Sequence, residues 1–278
     1  MAAPEPASLS PLVDLVCRGG LVVLTGAGCS TESGIPDYRG PETARRARNP
    51  IQYRGFVGDS DGRRRYWSRS FLGWPRIRDA RPNAAHLALA TLERRGVLTH
   101  LVTQNVDRLH HKAGSREVTE LHGALAEVRC LGCQARLDRE RLQVELAALN
   151  PRASAIGGEA APDGDADLLD GAGAEFQVPD CRDCGGVLKP DVVFFGEAVP
   201  MPRVERARVA VDAAKGLLVV GSSLAVYSGL RFVKQARARG IPTALVNLGP
   251  PARGLELFDL VLDAPAGATL SAVASAIA

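Results

Sequence analysis

No apolar run in the 278-residue chain approaches the roughly 18 residues that suggest a bilayer span, so no membrane segment is expected. The start, Met1 to Val16, lacks a basic run and an apolar stretch of signal length, and no arginine precedes Arg18. Neither a secretory signal nor a transit peptide is therefore expected, which leaves the cytoplasm as the default compartment. An excess of one charge is also missing. The 34 basic and 31 acidic side chains leave +3, too little to argue for a specific nucleic-acid partner. Lysine is scarce, with Lys112, Lys189, Lys215 and Lys234 the whole set, and arginine supplies the other basic residues. A chain of this length, 46% hydrophobic, can bury a core without disulfides, and its six cysteines, four of them in two CxxC pairs, read more readily as metal ligands in a reducing compartment than as disulfides. No internal repeat is present.

What is there reads as alternating strands and helices. Leu21-Val22-Val23-Leu24 is a short apolar, β-branched run ending in a glycine turn, the pattern of a buried parallel strand. Similar runs fall at Leu98 to Thr103, Leu217 to Val220, Thr243 to Val246 and Leu260 to Leu262. Between them, Asn83 is placed to cap a helix whose apolar face holds Ala85, Leu89 and Leu92 and which Gly96 terminates. Val204 to Ala214 and Gly229 to Arg239 read as further helices. The expected fold is α/β, a doubly wound Rossmann-like parallel sheet built from 10–37, 83–122 and 192–278. Residues 38–82 read as a helical or irregular cofactor-loop insertion, and 123–191 as a smaller metal-binding module with a loop near 151–173.

Within that module, Cys130 and Cys133 form one CxxC pair and Cys181 and Cys184 a second. Each such turn aims two thiolates at one ion, so the four have the spacing of a tetrahedral zinc site. A closed sulfur shell leaves no place for water, which makes the expected zinc structural. Cys17 and Cys29 have no such partner and read as small buried residues.

Gly26-Ala27-Gly28-Cys29-Ser30 follows the first strand, where backbone N–H groups and a helix start could approach a pyrophosphate. An isolated GxG serves a tight turn equally well. Position 31 is Thr where the dehydrogenase fingerprint has its third glycine, and no acid is placed for the ribose, which argues against hydride transfer. The turn continues into Thr31-Glu32-Ser33-Gly34-Ile35-Pro36-Asp37-Tyr38-Arg39. Gln104-Asn105-Val106-Asp107 follows a second strand, Leu121-His122-Gly123 comes shortly after, and Gly221-Ser222-Ser223 and Asn247 follow later strands.

These ordered motifs resemble the sirtuin family, from about Leu21 to Asp263. Gly185 to Glu197 and Ser223 to Ser228 look closest to its class II branch, and the arginine bias with abundant Ala and Gly suggests GC-rich bacterial coding. The resemblance implies an enzyme that consumes NAD to remove acyl groups from lysines of partner proteins, as a single chain. It implies NAD contacts from Gly26, Ala27, Gly28, Ser30, Thr31, Glu32, Pro36, Asp37, Tyr38, Arg39, Gln104, Asn105, Val106 and Asp107. Gly221, Ser222 and Ser223 would join on the phosphate and ribose side, with Asn247, Leu248, Gly249 and Ala264 toward the adenosine.

His122 is implied to be the general base, with Asn105 placing ribose and water. A histidine suits the task because an unperturbed pKa of ~6.5 leaves much of it neutral near pH 7. The other histidines read as core or surface residues. Val193, Phe194, Phe195 and Gly196 read either as core strand or, by resemblance, as the edge to which a substrate peptide adds. Tyr66 and Arg69 form a YxxR pair similar to that of sirtuins acting on acidic acyl groups, and Arg69 reads equally as one more arginine in a basic run. The products implied are nicotinamide, free lysine and O-acyl-ADP-ribose. ADP-ribosyl transfer to protein is the alternative outcome of the same cofactor cleavage.

Overall fold

The structure, a computed structural model, describes residues 6–37, 51–153, 159–160, 166–167 and 175–277. The chain runs through α1 (Pro6–Cys17), β1 (Leu21–Thr25), α2 (Tyr53–Gly58), α3 (Ser60–Asp79), α4 (Ala84–Arg94), β2 (Leu98–Thr103), α5 (Leu109–Lys112) and β3 (Val118–Glu120). It continues with β4 (Gly123–Cys130), β5 (Arg136–Asp138), α6 (Arg139–Leu149), the two-residue strands β6 (Glu159–Ala160) and β7 (Ala166–Asp167), and β8 (Leu188–Val192). The last part holds α7 (Met201–Asp212), β9 (Gly216–Val220), α8 (Tyr227–Ala238), β10 (Thr243–Asn247), β11 (Leu260–Asp263) and α9 (Ala266–Ala276). These elements form two compact units, one from 1–45, 81–121 and 199–278, the other from 46–80 and 122–198.

The first unit is built on a six-stranded sheet in the order β11-β10-β9-β1-β2-β3, parallel throughout. Side chains alternate between two buried faces. Leu21 and Val23 with Leu101, Leu218, Val220, Ala244 and Val246 pack against Leu12, Val16, Leu89, Leu92, Leu270 and Val273 of α1, α4 and α9. Val22 and Leu24 with Val102, Leu217, Val219 and Leu245 pack against Ala207, Val211, Phe232 and Val233 of α7 and α8. Burial on both sides explains why these strands read as unbroken apolar runs. Removing one such leucine side chain costs about 2–5 kcal/mol.

All five expected strands are present. The sixth, β3, is only three residues long and lies at the sheet edge, too short for a periodic signal. Asn83 caps α4 as expected, its Oδ1 accepting the N–H groups of Ala85 and His86, and Gly96 ends that helix at φ 72°. Cys17 departs from expectation. It is exposed, because it ends α1 on the solvent side, whereas Cys29 is buried.

The second unit holds a three-stranded antiparallel sheet, β5-β4-β8. Its helices α2 and α3 account for the described part of the 38–82 insertion. Arg139, 1% exposed, has its guanidinium over the rings of Trp67 and Trp74 and donates to Ser70 O. Trp67 in turn donates from Nε1 to Leu188 O at 3.2 Å. The expectation of core strand across 193–196 is corrected: β8 stops at Val192, and beyond it only Phe195 keeps a bridge, to Gln52. Most of the expected loop at 151–173 lies outside the described residues.

Burial in the first unit holds His86 down to about 4, because desolvation disfavours the imidazolium. A folded-state value below the unfolded value of about 6.5 contributes stability that is present above that pH and lost as pH falls toward 4. The melting temperature is therefore expected to fall steeply between about pH 6.5 and 4, and His86→Gln flattens that slope. An unchanged slope in the variant contradicts the burial account.

Candidate functional site

The sheet order places the chain reversal between β1 and β9, and open parallel sheets bind ligands beyond their C-terminal edge at such a point. Two turns leave there side by side. Gly26 N–H donates to Val220 O at 3.0 Å, and Gly28 N–H to Gly221 O at 2.8 Å. A Cβ on Gly26 would lie 2.7 Å from the Ser222 Cβ, one on Gly28 2.9 Å from Gly221 O, and one on Gly221 2.2 Å from the Cys29 nitrogen. Gly221 also sits at φ 59°. The glycines are thus required by close backbone packing between the turns.

Ser30 follows the first turn and donates from Oγ to Asp107 Oδ2 at 2.7 Å. Asn105 Nδ2 reaches Gly26 O and Ser30 Oγ, both at 3.0 Å. Gln104 Nε2 donates to Ser222 Oγ at 2.8 Å, tying the strand-end motif to the turn after β9. Asp107 is 6% exposed. Burial raises its carboxyl pKa, opposed by hydrogen bonds from the Leu109 N–H and Ser30 Oγ. Val106, between them, is half-buried. Thr31 Oγ1 returns to Gly28 O, and Glu32 accepts from Gly267 N–H at the start of α9, where a carboxylate favours the positive helix end.

Asn247 folds its amide over its own turn, to Leu248 O and Gly249 O, and Gly249 N–H donates to Asp263. Ala264 N–H returns to Asn247 O and Ser223 O accepts from Ala252 N–H, so the ends of β9, β10 and β11 are cross-braced. Pro36 and Asp37 are half-buried, while Tyr38 and Arg39 lie outside the described residues.

Sequence reasoning missed what supports this network. Thr25 Oγ1 donates to Thr103 Oγ1 at 2.8 Å and meets His110 Nε2 at 2.9 Å, and Thr103 Oγ1 accepts the Asn105 N–H. Asn83, besides capping α4, donates from Nδ2 to Cys29 O. Threonines paired across parallel strands leave no mark in either strand's own pattern.

In the second unit, His122 is backbone-bonded to the segment that follows β8: Val193 N–H donates to His122 O at 2.8 Å. Gly123, at φ 83°, makes the bend into β4. Tyr53 N–H donates to Phe195 O, and the ring of Phe194 packs on Tyr66 at 5.1 Å and Phe56 at 5.2 Å. Arg69, one helical turn beyond Tyr66, is half-buried.

Lys189 is the other missed residue. It is 4% exposed and pairs with Glu197 at 3.0 Å. It also donates to the Val192 and Pro190 carbonyls and lies 4.3 Å from the Phe194 ring centre. Glu197 accepts the Phe194 N–H, so this ion pair pins the whole 193–197 turn. Burial lowers the Lys189 pKa, and Glu197 opposes that shift.

The four paired cysteines converge. Cys130 and Cys184 sulfurs are 3.5 Å apart, Cys133 and Cys181 3.8 Å, and all four lie within 4.8 Å of one another. Zinc with bonds of about 2.3 Å sets tetrahedral sulfurs about 3.8 Å apart, so the donor set fits that ion. Gly132 N–H donates to Cys130 Sγ, and a Cβ on Gly186 would stand 2.8 Å from the same sulfur. Hydrogen bonding led by the Cys133 N–H lowers the Cys130 thiol from its ordinary value.

A Sir2 family model matches residues 26–228. The chain is 56% identical over 229 residues to an NAD-dependent protein deacetylase of Xanthomonas axonopodis, covering 82% of this chain and 78% of that one. A protein of the same description from Bordetella bronchiseptica is 52% identical over 255 residues, 92% of this chain and 93% of its own. Among solved structures, one described as the structural basis for the mechanism and regulation of Sir2 enzymes superposes with a TM-score of 0.78 at 29% identity, covering 98% of both chains. A Sir2–p53 peptide–NAD+ complex superposes with a TM-score of 0.73 at 30% identity, covering 94% of this chain and 95% of that chain. The chain belongs to the Sir2 family.

A zinc ion at the four cysteines shields their thiols. Before chelation a thiol reagent is expected to titrate Cys17 alone among the six, the only exposed cysteine outside the cluster. After chelation the four cluster thiols join it and the melting temperature drops. Rapid reaction of all four in the untreated protein contradicts the metal assignment.

Proposed function

We propose that this chain is an NAD-dependent protein lysine deacetylase that works as a single chain in the cytoplasm. The observation that carries the reading is the Ser30–Asn105–Asp107 network at the chain reversal of the parallel sheet, polar and buried where a dinucleotide would end. The deacetylase descriptions of its bacterial relatives support it. NAD is a co-substrate consumed in each turnover. The backbone of Gly26 to Gly28 and Gly221 to Ser223 serves the phosphates, and Asn247 to Gly249 with Ala264 the adenosine side. Asp37 and Asp107 take the nicotinamide amide, and Asn105 orients ribose and water.

Loss of nicotinamide leaves an electron-poor sugar carbon, and the acyl oxygen of the substrate lysine is the nucleophile that must already be in place. His122 then accepts a proton from a ribose hydroxyl, which attacks the acyl carbon. Water completes release of free lysine and O-acyl-ADP-ribose. The protein contributes position and exclusion of bulk water, since water reaching the sugar carbon first consumes NAD without product.

The peptide adds along 193–196, whose geometry Lys189 and Glu197 fix, and the bond between Val193 N–H and His122 O couples the base to that edge. The zinc held by Cys130, Cys133, Cys181 and Cys184 keeps the β4–β8 sheet folded and takes no part in the chemistry. Tyr66, edge-on to Phe194, and Arg69 one turn on line the acyl pocket, and Arg69 admits an acidic acyl group through its guanidinium.

His122→Ala is expected to lower deacetylation of an acetyl-lysine peptide at least ~100-fold, in line with loss of a general base. Arg69→Met is expected to lower succinyl-lysine turnover while sparing acetyl-lysine. Retention of most turnover in His122→Ala contradicts the base assignment, and equal succinyl activity in Arg69→Met removes the acidic-acyl reading.

A further inference from the structure

Among the described residues, two groups of side chains bring metal-ligating atoms together: the four paired cysteines and, in the first unit, Cys29 with His86 and His110. The deacetylase mechanism assigns the second group no step. Its sulfur and one ring nitrogen from each histidine lie within 4.8 Å of one another, and the residues are 1%, 0% and 2% exposed. The imidazole centres are 4.7 Å apart.

One nitrogen of each ring has partners and the other has none. His86 Nδ1 is 2.9 Å from Asn83 Oδ1, an oxygen that bears no hydrogen and already accepts two backbone N–H groups. The same nitrogen is 3.3 Å from the Asn83 N–H, and of the two contacts the shorter, made with Nδ1 as donor, is the one that leaves Nε2 with its lone pair. His110 Nε2 meets Thr25 Oγ1, whose own hydrogen goes to Thr103, so Nε2 is the donor there. The remaining nitrogens, His86 Nε2 and His110 Nδ1, are both buried without a partner. Each presents a lone pair, and the one hydrogen the cluster itself supplies is on the Cys29 thiol. Two unmet buried acceptors are an unfavourable arrangement for a closed core.

We propose that Cys29, His86 and His110 form a second metal site, which takes a soft monovalent cation of the Cu(I) class. One sulfur and two imidazoles are a soft donor set. A thiolate and a monovalent ion cancel in charge, so the complex itself is neutral and its burial carries a small desolvation penalty. Each imidazole has its other nitrogen on an oxygen, Asn83 Oδ1 or Thr25 Oγ1, the outer-shell arrangement that orients metal-bound histidines. Burial already keeps both rings neutral, the state in which imidazole binds metal.

On binding, the sulfur–hydrogen bond of Cys29 is exchanged for a sulfur–copper bond and one proton leaves to solvent, with no change of oxidation state. Burial, Asp107 and Glu32 suppress the thiol's own ionisation, and the same two carboxylates favour a cation in that place. Bonds of about 2.0–2.3 Å require donors under ~4 Å apart, so the triangle closes with side-chain movements of roughly 1 Å or less. The site lies beneath the Ala27–Cys29 turn that packs on Gly221, and it does not depend on the deacetylase reading.

The test titrates the zinc-loaded full chain without oxygen, using Cu(I) delivered from its bicinchoninate complex, and counts copper and zinc after desalting. The unaltered protein is expected to retain about one copper more than Cys29→Ala at unchanged zinc. X-ray absorption at one equivalent of copper is expected to show one sulfur and two nitrogens. Cys29→Val repeats the count should the alanine variant not fold, and the absorption measurement needs no variant. Equal copper in the unaltered and substituted proteins, or an all-sulfur shell with zinc displaced, overturns the proposal.

Discussion

Two backbones meet where β1 and β9 end, and no side chain can stand between them. Gly26 and Gly28 on one turn and Gly221 on the other approach so closely that a Cβ at any of the three would fall within 3 Å of the facing atoms. Because the turns lock in this way, Ser30 comes within hydrogen-bond reach of Asn105 and Asp107, and Ser222 within reach of Gln104. Three segments far apart in sequence thereby share one polar network at the edge of a parallel sheet. A wider separation would break the bonds of Ser30 to Asp107 and Asn105 and of Ser222 to Gln104, at about 0.5–1.5 kcal/mol for each bond lost.

The constraint extends downward into the sheet. Thr25 and Thr103 are paired residues on adjacent strands, and their hydroxyls join the floor of the network to His110. Asn83 links the start of α4 to the Cys29 carbonyl. The site is held by strand ends and helix starts, which suits groups that must keep their positions while a cofactor is cleaved. The second unit applies the same economy differently. A buried lysine–glutamate pair and a backbone bond to His122 shape the 193–197 turn, while four cysteines hold the small sheet behind it.

Much of this was legible in the sequence because its signals are local. Apolar runs buried on both faces announce the central strands, Asn83 and Gly96 bracket α4, and the CxxC spacing announces the sulfur cluster. The illegible parts depend on partners that only the fold supplies. β3 is a three-residue edge strand, and the segment after Val192 has strand composition but leaves the ladder, where Glu197 pairs with Lys189 and accepts the Phe194 N–H. Cys17 and Cys29 look alike in the sequence, yet one faces solvent and the other sits against two histidines. His86 and His110 read as ordinary core residues, and each has one ring nitrogen satisfied and the other not.

The account turns on a pocket that breaks the bond between sugar and nicotinamide only when an acylated lysine is ready to accept the sugar carbon. The most direct measurement follows free nicotinamide and deacetylated peptide in the same reaction with an acetyl-lysine peptide and NAD. The account predicts equal amounts of the two from the first turnover onward, with little nicotinamide released when peptide is withheld. Steady nicotinamide release without deacetylated peptide would contradict it.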